Sequence, residues 1–116
     1  MRIKHVETYQ ATIFIAGDYA KALRLCQAHC DQVGLCVTVE STTYVYTGGA
    51  ESGVRIGLIN YPRFPSTPRD IFQRAKTLAL ILMDGLKQES LSIVATDGTA
   101  WFSRRAEDVD ARAMSN

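Results

Sequence analysis

Two histidines, three cysteines and four lysines are few for a chain of 116 residues, and each scarcity narrows the range of functions. His5 sits near the terminus and His29 on a helix face beside Gln27 and Asp31, and both read as ordinary exposed residues without the positioned partner that histidine catalysis needs. An odd number of cysteines without a secretory signal argues for reduced thiols. Apolar runs are short. The longest, Leu78–Met83, is far below a membrane span, and no apolar region follows the basic Met1–His5 within ten residues. This reading expects a cytoplasmic protein. Charge of one sign is also missing. Thirteen basic against twelve acidic residues leave a net charge of +1, which excludes nucleic-acid binding by bulk electrostatics. No Ser, Thr or Cys stands in a nucleophile-elbow or P-loop pattern, and Gly48-Gly49 is a hairpin loop rather than a phosphate fingerprint.

What is present is a core. Hydrophobic residues make up 47% of the chain, enough for one domain and too many for disorder. Tyr9, Ala11, Ile13 and Ile15 alternate within a strand over residues 6–16. Asp18 caps a helix running to about Val33, with Gly34 just past its end. Leu35–Ser41 and Thr43–Tyr46 read as one bent strand or two strands, and residues 43–47 pair with Gly53–Tyr61 across a glycine-rich loop. Thr67 caps a second helix that has Pro68 at its first position. Asp97-Gly98 closes a last hairpin of Leu91–Thr96 with Thr99–Arg104. The result is a single α+β domain over residues 1–105, mostly antiparallel sheet with two helices, in the order β-α-β-β-β-α-β-β. A charged, aperiodic tail over 106–116 is expected to fray. The second helix is apolar nearly all round, with Leu80, Ile81 and Met83 off its main stripe, and this predicts cover by another copy of the chain.

Candidate chemistry concentrates in arginine, which supplies nine of the thirteen basic residues. Arginine suits planar, bidentate contact with phosphate or carboxylate. The strand Val54–Ile59 breaks into the loop Asn60-Tyr61-Pro62-Arg63-Phe64-Pro65, where proline holds an amide, a phenol, a guanidinium and a phenyl ring together. Arg24 lies off the apolar stripe of the first helix. Arg104 and Arg105 follow Trp101-Phe102-Ser103 and, as neighbours on a strand, point to opposite faces. An aromatic ring with two guanidiniums is what a nucleotide bearing two phosphates asks for. Cys26 and Cys30 are four apart on the apolar helix face and read as core packing, since the short zinc spacings are absent.

Ile15-Ala16-Gly17-Asp18 entering a helix, Gly34–Val39, Tyr46-Thr47-Gly48-Gly49 and Gly57–Pro65 together resemble the phage Thoeris anti-defence sponge proteins, over about Tyr9 to Arg105. The resemblance implies a protein that is not an enzyme and needs no cofactor or metal. It implies capture of a cyclic ADP-ribose-type signal (glycocyclic ADP-ribose) in the host cytoplasm, without cleavage. It also implies a homo-oligomer, a hexamer built from dimers, in which some members take cyclic trinucleotides at a separate site. Arg24 and Arg105 match the arginines that hold the pyrophosphate, and Asn60, Arg63 and Phe64 the amide, arginine and aromatic contacts. Two other classes stay open on the residues alone: a small nucleotide-processing enzyme, and an interaction module inhibiting a host factor.

Overall fold

Period-two burial decides the sheet in the structure, a computed structural model that describes residues 1–109. In β1 (Gln10–Ala16) the side chains of Ala11, Ile13 and Ile15 are buried, and those between them are not. The same alternation buries Val54, Ile56 and Leu58 in β3 (Gly49–Ile59), and Leu91 and Ile93 in β4 (Ser90–Ala95). With β2 (Thr38–Tyr46) and β5 (Gly98–Ser103) these strands form one sheet in the order β2-β3-β1-β4-β5, every pair antiparallel. Two helices, α1 (Tyr19–Val33) and α2 (Pro68–Gly85), pack on the face that carries the buried set. The α+β class and the succession of helices and strands are those expected from the sequence, with Leu35–Ser41 and Thr43–Tyr46 resolved as one continuous strand, Thr38–Tyr46, so that two strands rather than three lie between the helices.

The helix ends follow their caps. Asp18 accepts from the Lys21 amide at 2.8 Å, and Gly34 closes α1 in the left-handed region at φ 72°. Thr67 accepts from the Asp70 amide at 3.1 Å ahead of Pro68.

Two expectations are corrected. Gly49–Gly53 is strand rather than loop: Gly48 at φ 85° closes a two-residue turn with Thr47, and the rings of Tyr46 and Tyr44 cover the bare backbone at Gly49 and Gly53. His29 is only 8% exposed, because α2 lies along α1 and widens the covered face. The off-stripe residues of α2 are covered only in part within the chain: Met83 is buried, Ile81 half-buried and Leu80 exposed, while Leu25 of α1 packs on Gly85. No helix of the described residues is long and apolar enough to cross a membrane. At the C-terminal end Ala106–Val109 takes a helical turn, with Ser103 donating to Asp108, and the rest of the expected tail lies outside the described residues.

Candidate functional site

Two concavities stand at opposite ends of β1, about 20 Å apart by the rise of an antiparallel strand. The larger, about 620 Å³, opens where α1 ends, β3 ends and α2 begins. Leu35, Leu58 and Ile71 line it together with Cys30, Cys36, Tyr61, Arg63, Phe64 and Arg74. One wall is the loop after β3, and its shape is set by Asn60. The Asn60 side chain donates to the Glu7 carbonyl at 2.7 Å and accepts from the Ser66 amide at 2.9 Å, while its own amide donates to the Tyr9 carbonyl at 3.0 Å. The loop is thus closed at both ends by one residue. Inside it the Phe64 amide donates to the Tyr61 carbonyl at 2.9 Å. The Arg63 guanidinium lies 5.3 Å from the centre of the Phe64 ring, in cation–π range. The Cys36 thiol donates to the Tyr61 hydroxyl at 3.3 Å, and that contact, with burial, pushes the Tyr61 phenol up to about 12.

The smaller concavity, about 200 Å³, is a notch on the sheet face that no helix covers. The register explains its contents. Glu40 pairs with Arg55, Arg55 with Phe14, Phe14 with Ser92 and Ser92 with Trp101, so one row of side chains crosses all five strands. β1 stops at Ala16, whereas the β2–β3 hairpin continues to Tyr46 and Gly49. The gap beyond the end of β1 is the notch, with Phe14, Tyr44, Glu51, Ser92, Trp101 and Arg105 around it. Arg55 lies 5.0 Å from the centre of the Phe14 ring. The Tyr44 hydroxyl donates to the Val54 carbonyl at 2.7 Å, and burial raises the pKa of its phenol.

The five residues singled out from the sequence do not meet in one place. Arg63 and Phe64 line the large cavity, and Arg105 lines the notch. Asn60 is 8% exposed and engaged by the backbone on both sides. Arg24 is exposed on α1 and lines neither concavity. The structure also separates the adjacent arginines. Arg104 donates to Asp84 at 2.5 Å and to the Gln88 and Met83 carbonyls at 3.1 Å, fixing β5 to the C-terminal end of α2, so Arg105 is the one left to the notch. Sequence reasoning did not pick out Tyr44, Glu51 or Phe14, which meet only through strand register, nor Arg74, which reaches the cavity from a helix whose polar face looked ordinary.

No family model matches the chain, and no curated protein matches it in sequence. Solved structures do match in fold. A phage SAM lyase in complex with S-methyl-5'-thioadenosine superposes with a TM-score of 0.69, covering 91% of this chain and 97% of that one at 16% identity. A phage SAM lyase in its apo state gives 0.63, with 84% and 90% covered, also at 16% identity. The expectation of a non-enzyme is corrected by these matches. This fold carries a lyase, and the lack of a recognisable nucleophile does not separate binder from enzyme.

Proposed function

We propose that the protein is a lyase acting on an adenosyl sulfonium, of which S-adenosylmethionine is the type, at the notch on the uncovered sheet face. The observation that carries this reading is the extent of the likeness: 97% of the SAM lyase that holds S-methyl-5'-thioadenosine has a counterpart here. Chemistry supports it. Release of methylthioadenosine breaks the bond between the sulfonium sulfur and the γ-carbon of the substrate, and the electron pair stays on sulfur. The substrate's own carboxylate oxygen supplies a pair to that carbon and closes a five-membered lactone. Atoms, charge and protons balance without water, and no protein nucleophile or base is required. The enzyme's task is to fold the substrate into that geometry and to exclude water, which favours a step that annihilates opposite charges.

The notch is suited to such a substrate. The Trp101 and Tyr44 rings and the Glu51 carboxylate favour a cation, and the Arg105 guanidinium, which lines the same notch, pairs with the carboxylate of the substrate in this reading. A pyrophosphate, as in a cyclic ADP-ribose-type signal, fits less well there, since the Glu51 carboxylate lines the same notch. At about 200 Å³ the notch is smaller than the usual range of ligand sites. A second copy of the chain laid on the uncovered face, over Val94, Ile59 and Trp101, completes the enclosure in this reading. The role that follows in a phage setting is removal of a nucleoside-derived molecule from the host.

The test is to incubate the protein with S-adenosylmethionine and resolve the products by chromatography with mass detection. Methylthioadenosine and the lactone are expected. Intact substrate after prolonged incubation refutes the lyase reading. Cyclic ADP-ribose, incubated in parallel and recovered after heat denaturation, measures the competing ligand class.

A further inference from the structure

The large cavity is lined by charge of one sign, whereas the notch mixes Glu51 with Arg105, and from this we infer that the cavity is a second, independent site for a phosphorylated nucleoside. Arg63 and Arg74 both line it, and among the described residues no acidic side chain does. Asp70, one turn before Arg74 on α2, faces the adjoining groove together with Arg74 and forms no ion pair with it; Arg104–Asp84 is the ion pair among the described residues. Two guanidiniums without a carboxylate above a floor of Leu35, Leu58 and Ile71 leave positive charge beside low-dielectric surface. Such an arrangement repels a sulfonium and attracts an anion with an apolar body. The volume of about 620 Å³ is ample for a nucleoside diphosphate and lies within the usual range of ligand sites.

The supporting wall is built to hold still. Asn60 ties the loop at both ends, and Pro62 and Pro65 stiffen it. Arg63, held over the Phe64 ring, gives up less freedom on binding than an unsupported guanidinium would. Phe64 is 72% exposed, so its ring is free to stack on a base as well.

The experiment is calorimetry with three probes: adenosine 5'-diphosphate, adenosine and inorganic pyrophosphate. The diphosphate is expected to bind at least about 10-fold more tightly than either fragment. Equal binding of adenosine excludes the guanidiniums from the site, and equal binding of pyrophosphate excludes the apolar floor; either outcome, or no binding of the diphosphate, overturns the inference. Arg74→Gln, on the exposed helix surface, and Arg63→Gln, in the loop, are each expected to weaken the diphosphate about 10-fold without changing the melting temperature. Unchanged affinity in both refutes the assignment. Location is read from two reporters at opposite ends of β1. The diphosphate should slow alkylation of Cys36 by N-ethylmaleimide, mapped by peptide mass, and should leave the fluorescence of Trp101, the single tryptophan, unmoved. The reverse pattern places the ligand in the notch and refutes the second site, whatever the outcome with S-adenosylmethionine.

Discussion

Replacing Asn60 by alanine separates two roles that the sequence does not distinguish, a ligand contact and a fastening of the loop. In the structure the side chain makes two hydrogen bonds, to the Glu7 carbonyl at 2.7 Å and from the Ser66 amide at 2.9 Å, and it is 8% exposed. Each such bond is worth about 0.5–1.5 kcal/mol net, and leaving the backbone partners unpaired at a partly buried position brings the loss towards the upper end. The total is about 2–3 kcal/mol. Unfolding entropy near 2.1 cal/mol/K per residue over 116 residues gives about 0.24 kcal/mol/K, so the melting temperature should fall by about 8–12 °C. The assay is calorimetric or circular-dichroism melting without ligand. Asn60→Asp should be worse than alanine at neutral pH, because it sets a carboxylate oxygen against the Glu7 carbonyl. A loss below about 0.5 kcal/mol for Asn60→Ala, or an aspartate variant as stable as wild type, would refute the fastening role and return the amide to the ligand.

Other expectations concern the sheet and pH. In Gly53→Ala the new methyl meets the Tyr44 ring and lies 2.7 Å from the Ile15 carbonyl oxygen, so overpacking should cost about 1–3 kcal/mol in denaturant melts and move the Trp101 emission as Tyr44 shifts. Arg105→Ala should weaken S-adenosylmethionine binding, measured through Trp101, while leaving methylthioadenosine, which lacks the carboxylate, and the melting temperature unchanged, since Arg105 lines the notch and Arg104 makes the structural contacts. Val94→Glu on the uncovered face should shift the sedimentation coefficient to that of a monomer if a second copy covers that face; an already monomeric wild type removes the idea. Tyr61, pushed up to about 12, and Tyr9, raised by burial and by Asp97, hold their protons longer folded than unfolded. The stability they contribute is complete below about pH 10 and is lost as pH rises towards 12, and Tyr61→Phe should flatten that fall in melts from pH 9 to 12.

Local pattern was enough wherever local physics decides. Alternation in Ala11–Ile15 and Val54–Leu58 fixed which face is buried, and Asp18, Gly34, Thr67 and Pro68 marked the helix ends because caps are made by the residues that occupy them. Glu51–Gly53 reads as loop in the sequence because glycine carries little strand signal of its own. Tyr44 and Tyr46 supply it from across the hairpin.

The sequence by itself determined the class of fold, the two helices, the stiff loop after β3 and a chemistry rich in arginine and aromatic groups. Only the tertiary structure decided how those groups are shared out. Residues far apart in sequence become neighbours through strand register, which set Phe14 beside Arg55 and Ser92 and brought Trp101 to the same row. Hydrogen bonding to distant backbone engaged Asn60 in the frame of the loop and tied Arg104 to α2. Arg63 and Phe64 therefore stand at one end of β1 and Arg105 at the other, because the direction of a side chain on a strand is local but its company is chosen by the strands laid beside it.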